Sequence, residues 1–263
     1  MTTADAGFSI VLRSGDPEDR RRFAEAAAGR AEVLLVRDFA AGLESAANEV
    51  VLFLAAGARP LPGWFEAFEA AFSDPDLAAA AGRTFPSLPP TASDWARVVQ
   101  GENLGPFGRF DLGHFARRIL PAERSFAPAE NFAVRRCSAL LRGGFGGRLP
   151  LLRRLLLAGD AVAYAPDATI LRPIPAGFPL EERFAEWWQE HGRLIARSEE
   201  QATGFLGRRL QAWRAGRKSR RYRRRMADWP ERGPEWTRLV AKCHLHRGRA
   251  LELKLAPPPG SQS

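Results

Sequence analysis

The chain has 263 residues, of which 45% are hydrophobic and 26% are charged, a composition that excludes wholesale disorder and supplies enough apolar material for a core. Its two cysteines, Cys137 and Cys243, exclude a disulfide scaffold and a cysteine-based zinc site. The formal net charge is +9, and the longest apolar run, Val50–Ala58, is too short to cross a bilayer.

The positive charge is concentrated in the last third of the chain. Residues 1–180 contain 20 basic and 20 acidic side chains, whereas residues 181–263 contain 19 basic and 10 acidic ones. The sequence therefore indicates a neutral body followed by a basic appendage. The first residues show no basic segment followed by an apolar stretch, so we expect a cytoplasmic protein, with peripheral attachment to the inner face of a membrane as an open alternative.

The first quarter of the chain alternates predicted strands and helices. Phe8–Leu12 is a short apolar run typical of a strand, and Pro17 suits the first turn of a helix that extends to Arg30. Val33–Val36 and Val50–Leu54 indicate two further buried strands. This order predicts an α/β fold with a largely parallel sheet, whose ligands bind where the strands end. The strand ends to inspect are residues 13–16, 37–38 and 55–59.

The later elements are less regular. A helix is predicted from Phe65 to Phe72, and a strand from Leu77 to Gly82. Residues 91–125 show no clear periodicity. Further on, the pattern predicts strands at 132–134 and 161–164 and helices at 135–141 and 149–157, and residues 181–228 are helix-rich.

Three blocks of sequence occur in a recognisable order and spacing. The first runs from Glu49 to Trp64 and continues to Asp74-Pro-Asp-Leu77. The second is Asn131-Phe-Ala-Val-Arg-Arg-Cys-Ser-Ala-Leu-Leu-Arg-Gly-Gly-Phe145, and the third is Ala158-Gly-Asp-Ala-Val-Ala-Tyr-Ala-Pro-Asp-Ala168. Together the blocks resemble family-2 glycosyltransferases. The resemblance implies their GT-A fold, a mostly parallel α/β sheet flanked by helices, over about residues 8–175.

The same resemblance implies transfer of a sugar from a nucleotide-sugar donor to a hydroxyl acceptor in cell-envelope or polysaccharide synthesis. In the family an acidic pair after the third strand holds a divalent cation, but here those positions are Ala55 and Gly57, which have no side-chain oxygen. The segment that supplies the family's carboxylate base has no Asp or Glu here, and the closing His corresponds to Arg172. We therefore expect no metal site and no other cofactor.

The resemblance places the donor site at the strand ends. The predicted nucleotide- and donor-binding residues are Arg13, Ser14, Asp16, Asp38, Arg59, Asn131 and Arg172. Arginines could carry the phosphate charge that the missing cation would otherwise offset. Glu130 is the candidate general base, whereas Asp160 occupies a position where Asp commonly forms a turn. For each of these side chains a purely structural or solvated role is the alternative.

Two hypotheses for the body remain open at this stage. The chain is either a glycosyltransferase-like protein that is metal-independent or catalytically degenerate, or a non-catalytic scaffold subunit that binds a protein partner or an anionic membrane surface. The expected organisation is a GT-A-like domain at 1–178, a basic helical extension at 179–256 and a disordered tail at 257–263.

The basic extension contains ten basic residues between Arg208 and Arg225, with aromatic residues interleaved. It fits an anionic membrane surface, nucleic acid, or a solvated helical face that packs its tryptophans on the body. Nucleic acid is the least favoured partner. The predicted anion-contact residues are Arg217, Lys218, Arg220, Arg221, Arg223, Arg224 and Arg225.

Overall fold

The structure is a computed structural model that describes residues 7–14, 16–104, 109–121, 130–146, 149–174, 176–177, 180–199 and 205–255. The predicted tail at 257–263 lies outside these ranges. The chain forms two compact units. The first comprises Met1–Ser87 and Arg109–Pro173, and the second comprises Leu88–Gly108 and Ile174–Ser263. The second unit thus also takes in a segment from the middle of the chain, whereas the domain boundaries at 178 and 256 stay a prediction.

The first unit is built on one mixed sheet. Its elements in chain order are β1 (Phe8–Arg13), α1 (Pro17–Ala26), β2 (Ala31–Leu35), α2 (Phe39–Ser45), β3 (Val50–Ala55), β4 (Arg59–Pro60), α3 (Trp64–Phe72), β5 (Leu77–Ser87), and then, after α4 (Asp94–Gly101) of the second unit, β6 (Arg117–Arg118), β7 (Asn131–Arg135), α5 (Arg136–Leu141), α6 (Leu151–Leu157) and β8 (Ala161–Pro173).

The strand order is β2-β1-β3-β7-β5-β8-β4, and β6 pairs with β8. β1 is parallel to β2 and to β3, and β5 is parallel to β8. β7 runs antiparallel to both β3 and β5, so β3 and β5 point the same way. The predicted α/β fold with a mostly parallel sheet is confirmed.

Helices cover both faces of this sheet because side chains alternate between faces along each strand. Ile10 and Leu12 of β1 belong to one cluster, with Phe23 of α1 and Trp64 of α3. Val11, between them, belongs to the opposite cluster, which includes side chains of α2 and α6. The central strands are therefore buried on both sides, which explains their continuous apolar sequences.

Four predictions for the first unit change in the structure, and one is the strand predicted over Leu77–Gly82, which continues to Ser87. The first helix ends at Ala26 instead of reaching Arg30, because Ala28 and Gly29 adopt positive φ angles of 49° and 73°. The connection predicted between the second and third strands contains α2. The last strand, predicted to end near Pro166, continues to Pro173, since the shift in register between Gly82 and Thr84 accommodates extra residues of β8 there.

The second unit is helical. It contains α4, α7 (Leu180–Glu199), α8 (Phe205–Met226) and α9 (Pro234–Leu255), which confirms the predicted helical C-terminal region. α4 lies in a segment where the sequence showed no periodicity, and Ser93 caps its first turn by accepting a hydrogen bond from the Ala96 amide. Its Trp95 donates a hydrogen bond to the Thr237 hydroxyl of α9 at 2.9 Å.

Two glycines bring the backbones of α7 and α9 together. A Cβ built on Gly192 would lie 2.0 Å from the carbonyl oxygen of Leu245, and one built on Gly248 would lie 1.8 Å from the carbonyl oxygen of Gln189. No larger residue fits at either position without moving a backbone. Ion pairs from Arg197 to Glu252 and from Arg249 to Glu199 also join these two helices.

Candidate functional site

Charged side chains collect at the edge of the sheet where the parallel strands end. Arg13 is the last residue of β1 and pairs in register with Ala55 at the end of β3. Leu54 of β3 pairs with Asn131, the first residue of the antiparallel β7, so Glu130 precedes β7 at the same edge. Arg172 lies near the end of β8. Because β7 runs antiparallel, its beginning meets the ends of its neighbours.

Glu130 joins two arginines in this cluster. Its Oε1 lies 3.4 Å from Nη2 of Arg13, and its Oε2 accepts a hydrogen bond from Nη1 of Arg172 at 2.8 Å. The side chains of Glu130 and Arg172 are mostly buried, at 21% and 17% exposure, whereas that of Arg13 is 51% exposed. The guanidinium of Arg13 also lies over the ring of Phe39, 5.2 Å from its centroid. The arginines are thus held in fixed positions.

Arg59 supplies a further positive charge near this edge. It begins β4, where it pairs with Leu171, the residue beside Arg172, and its side chain is exposed. Besides Glu130, the carboxylates of Asp16 and Asp38 follow strand ends at this edge, where each caps a helix. The three arginines are candidate phosphate ligands, since guanidinium groups donate paired hydrogen bonds to phosphate oxygens.

The turn that follows β3 is held by a buried carboxylate, Asp19 of α1. Its Oδ2 accepts hydrogen bonds from the Ser14 hydroxyl at 2.7 Å and from the Gly57 amide at 2.9 Å, and its Oδ1 pairs with Arg22 at 2.8 Å. Burial alone would raise the pKa of Asp19, but these three donors outweigh that effect and lower the pKa below its ordinary value of 3.8. Asp19 therefore ties the end of β1 to the turn after β3.

This turn does not suit the divalent cation that the family resemblance implies. Ala55 and Gly57 contribute no side-chain oxygen. Gly57 has a φ of 69°, and a Cβ built on it would lie 3.1 Å from Cγ of Pro173, so a larger residue would be strained there. In the part of the chain that the structure describes, no group of three or more His, Cys, Asp or Glu side chains is arranged to hold a metal. The residues at this turn therefore do not provide the oxygen ligands that a divalent cation needs.

Several predicted donor-site residues have structural roles. Asp16 caps α1 by accepting a hydrogen bond from the Glu18 amide at 2.9 Å, and Asp38 caps α2 by accepting one from the Ala41 amide at 2.8 Å. Ser14 donates to Asp19 and accepts from the Asp16 amide. The observed contacts of Asp38 therefore agree with the structural role that was given as its alternative.

Asn131 is buried and fully engaged in hydrogen bonds within the first unit. Its Oδ1 accepts from the indole of Trp64 at 3.1 Å, and its Nδ2 donates to the carbonyls of Arg83 and Ala168 at 2.8 and 2.9 Å. The neighbouring Gly82 leaves space for this amide, because a Cβ there would lie 2.4 Å from Nδ2. Asn131 therefore ties β7, β5 and β8 together behind the arginine cluster.

The carboxylates considered as a general base are also paired. Glu130 lies between two guanidiniums, and Asp160 accepts two hydrogen bonds from Arg142 at 2.7 and 2.9 Å. The Gly143-Gly144 turn nearby has positive φ angles and is closed by Arg154, which donates to the carbonyls of Arg142 and Gly144. The turn spans residues 142–145, and Gly147 lies outside the described residues.

Sequence reasoning placed Arg13, Glu130 and Arg172 at one sheet edge but did not identify the contacts that join them. It missed Asp19 altogether. The signal was present, since Asp19 and Phe23 are four residues apart and lie on the same buried face of α1. An acidic residue on the buried face of an amphipathic helix requires a partner, and here the partners are Ser14, Gly57 and Arg22.

No protein-family model and no curated protein matches the sequence. Among solved structures, the chain is similar to the mannosyltransferase PcManGT from Pyrobaculum calidifontis in complex with GDP-Man and Mn2+, at 13% identity and a TM-score of 0.43, over 98% of this chain and 78% of that one. It is also similar to S. aureus TarS 1-349 in complex with UDP-GlcNAc, at 13% identity and a TM-score of 0.46, over 94% and 88% of the two chains.

A third similar structure is GalNAc-T7 with UDP, GalNAc and Mn2+, at 12% identity and a TM-score of 0.41. The match covers 76% of this chain and 52% of GalNAc-T7, so it spans about half the length of that protein. Since the TM-scores of these three structures lie below 0.5, the family of this chain does not follow from them.

Proposed function

We propose that the first unit binds the diphosphate of a nucleotide sugar and that the protein is a GT-A glycosyltransferase related to family 2. The observation that carries the proposal is the Arg13–Glu130–Arg172 cluster at the end of the parallel strands. This is the edge at which open α/β sheets bind ligands. The second sequence block that resembles the family begins at this edge with Asn131, and the first block crosses it at the end of β3.

In this proposal arginines take the place of a metal ion. Arg13 is half-exposed and Arg59 is exposed, so both can turn further N–H groups toward a diphosphate, while Glu130 keeps Arg13 and Arg172 in place. The leaving diphosphate would then be stabilised by fixed positive charge. Four predicted donor-site side chains already hold structural hydrogen bonds, namely Ser14, Asp16, Asp38 and Asn131. These residues would therefore contact the nucleotide through their backbone groups or after their side chains rearrange.

The test is calorimetric titration of GDP, UDP, dTDP and pyrophosphate in excess EDTA. We expect at least one of these anions to bind, and Arg172→Gln to weaken that binding by about tenfold, the loss of roughly one charge-assisted hydrogen bond. Arg20→Gln is the matched control, because Arg20 is an exposed arginine on α1. Failure of all four anions to bind the wild-type protein would overturn the proposal.

A non-catalytic role is the second candidate, and the pairing of the carboxylates favours it. Glu130 and Asp160 are both engaged with arginines, and a base that holds two guanidiniums must release one before it can take a proton. Release of nucleoside diphosphate from a sugar donor in EDTA, abolished by Glu130→Gln, would exclude this candidate. Binding without turnover over a panel of acceptors would support it.

The proposal extends to location. We place the protein in the cytoplasm at the inner face of a membrane, in cell-envelope or polysaccharide synthesis, with the basic C-terminal region as its contact to lipid or to a protein partner. No helix in the described ranges is both long and apolar enough to span a bilayer. Contact through a surface helix would need no such span.

A further inference from the structure

α8 has one face packed within the second unit and one face turned to solvent. The packed face recurs with helical spacing at Arg208 and at three small residues, Ala212, Ala215 and Ser219, all of which are buried. Ser219 lies 3.5 Å from the thiol of Cys243 on α9, which identifies the neighbour. The positions half a turn away from this row therefore form the opposite, outer face of the helix.

The first half of the outer face is apolar. Leu206, Leu210 and Trp213 follow one another at intervals of four and three residues, and they are 79%, 47% and 53% exposed. Trp213 is therefore not covered by the other helices of the second unit. A row of exposed large apolar side chains on a single helix face marks an interaction surface, since soluble proteins rarely leave such rows uncovered.

The second half of the same face is basic. Arg217, Arg220, Arg221 and Arg224 continue the row, and each is exposed. Arg217 lies over the ring of Trp213, 4.8 Å from its centroid, so the two halves meet in a cation–π contact. The exposed Lys218, Arg223 and Arg225 flank the row, and the 22 residues of α8 contain ten basic and no acidic side chains.

We propose that the outer face of α8 docks on the surface of an anionic lipid bilayer, with Leu206, Leu210 and Trp213 inserted among the lipids and the arginines at the phosphates. A 22-residue helix is about 33 Å long, so both halves can contact one flat surface when the helix lies parallel to it. Charge complementarity requires an anionic partner. The two leucines favour lipid over nucleic acid, because a phosphate backbone offers nothing to a leucine side chain.

The outer face of α8 belongs to the second unit and the candidate donor site belongs to the first, so vesicle binding and donor binding can be tested separately. Each arginine near an anionic surface contributes about fivefold to binding. Insertion of the apolar side chains contributes binding free energy that does not depend on salt, whereas the contribution of the arginines falls as ionic strength rises. The combination predicts vesicle binding that weakens with salt and also requires the leucines.

The test is sedimentation of the full chain with vesicles of phosphatidylcholine and 30% phosphatidylglycerol, compared with phosphatidylcholine alone, at 50 and 500 mM NaCl. We expect binding to the anionic vesicles at low salt, weakened by about a hundredfold in the triple variant Arg217→Gln, Arg221→Gln and Arg224→Gln. We also expect a loss of at least tenfold in Leu206→Gln with Leu210→Gln. All five positions are exposed, so the fold is retained, which circular dichroism checks.

The matched control is the triple variant Arg20→Gln, Arg183→Gln and Arg247→Gln, which removes the same charge from exposed sites outside α8 and should bind like the wild type. Vesicle binding that is unchanged in the leucine variant would overturn the proposal. So would a mobility shift with double-stranded DNA or RNA that the arginine variant abolishes while the anionic vesicles are not bound.

Discussion

The carboxylate of Glu130 accepts a hydrogen bond from the guanidinium of Arg172 at 2.8 Å, although 42 residues separate them in the chain. The sequence predicts different roles for the two residues: Glu130 is a nearby carboxylate that could stand in for the missing base, and Arg172 replaces the closing histidine of the family. The structure makes them partners at one sheet edge. The negative charge of Glu130 therefore competes with any anionic ligand for the arginines around it.

Replacing Glu130 with glutamine should strengthen anion binding at this edge. The substitution removes the internal negative charge while keeping the size of the side chain, so we expect the affinity for pyrophosphate to rise by about fivefold, the value of roughly one partly screened ion pair. Calorimetric titration measures the change, with Glu25→Gln on the exposed face of α1 as control. A lower affinity in Glu130→Gln would contradict this expectation and would mean that holding Arg13 and Arg172 in place outweighs the negative charge of Glu130.

Asp19→Asn should destabilise the first unit by about 2 kcal/mol, because the buried amide cannot accept from the Ser14 hydroxyl, the Gly57 amide and Arg22 at once. The pKa of Asp19 is lowered in the folded state, so its contribution is complete above 3.8 and is lost as the pH falls through the lower, folded value. Urea unfolding at pH 7 and at pH 3 measures both effects. An equal difference between wild type and variant at the two pH values would contradict the assigned pKa shift.

Asn131→Ala should destabilise the protein by about 3 kcal/mol, since it leaves the Trp64 indole and two buried carbonyls without their partner. The contribution of the indole can be isolated in a double-mutant cycle with Trp64→Phe. We expect a coupling energy of about 1 kcal/mol between the two positions in urea unfolding. Additive effects would show that the 3.1 Å contact contributes nothing of its own.

Acid should destabilise the helical unit through its histidines. Burial lowers the pKa of His191 to about 4, and burial together with Lys218 and Arg249 lowers that of His246 to about 4. The unfolded chain then binds more protons than the folded one, so stability falls as the pH drops from about 6.5 toward 4 and changes little above 6.5. His191 stacks on Trp187, with parallel rings whose centroids are 4.9 Å apart.

His191→Phe keeps that stacking and removes the titrating group, so it should reduce the loss of stability between pH 7 and pH 4.5 by about 2 kcal/mol. Thermal unfolding followed by circular dichroism at 222 nm across this range gives the comparison. His114→Phe is the control, because His114 lies on the exposed surface of the first unit. A pH profile of the variant that coincides with that of the wild type would show that His191 does not titrate with folding.

Gly248→Ala should destabilise the second unit by about 3 kcal/mol or prevent its folding, since the added Cβ would lie 1.8 Å from the carbonyl oxygen of Gln189. Gly216→Ala is the matched control on α8, where the nearest atom to the new Cβ is the Nη1 of Arg220 at 3.7 Å. There the higher helix propensity of alanine should stabilise the protein by up to about 1 kcal/mol. Both values come from urea unfolding, and equal effects would contradict the close approach of α7 and α9.

The longer strands and most helices of the first unit could be predicted because each carries its own local signal, whereas the two-residue strands β4 and β6 could not. β1, β3 and α3 have apolar runs or helical periodicity, and Pro17 begins α1. α2 escaped prediction because seven residues are too few to show periodicity, and its only signal was Asp38 as a cap. α4 has eight residues and lies in a segment whose aromatic and glycine content hides the pattern.

The candidate site was only partly predictable, for a different physical reason. Sequence position places Arg13, Glu130 and Arg172 at strand ends, but which side chains meet depends on strand order, and β7 enters the sheet between β3 and β5 against the direction of both. Short motifs cannot report that pairing. The helix-capping roles of Asp16 and Asp38 depend on local geometry, and the sequence offered a capping alternative only for Asp38, as the cap of a turn.

The glycine pair in the second unit has a consequence for motion. Gly192 faces the backbone of α9, and Gly248 faces that of α7, so a glycine of each helix lies directly against the main chain of the other. Sliding by one helical turn would bring side chains of neighbouring residues against those carbonyls, and the two contacts would have to break together. α7 and α9 can therefore pack in only one register along their axes, and a displacement of one helix along its axis moves the other with it.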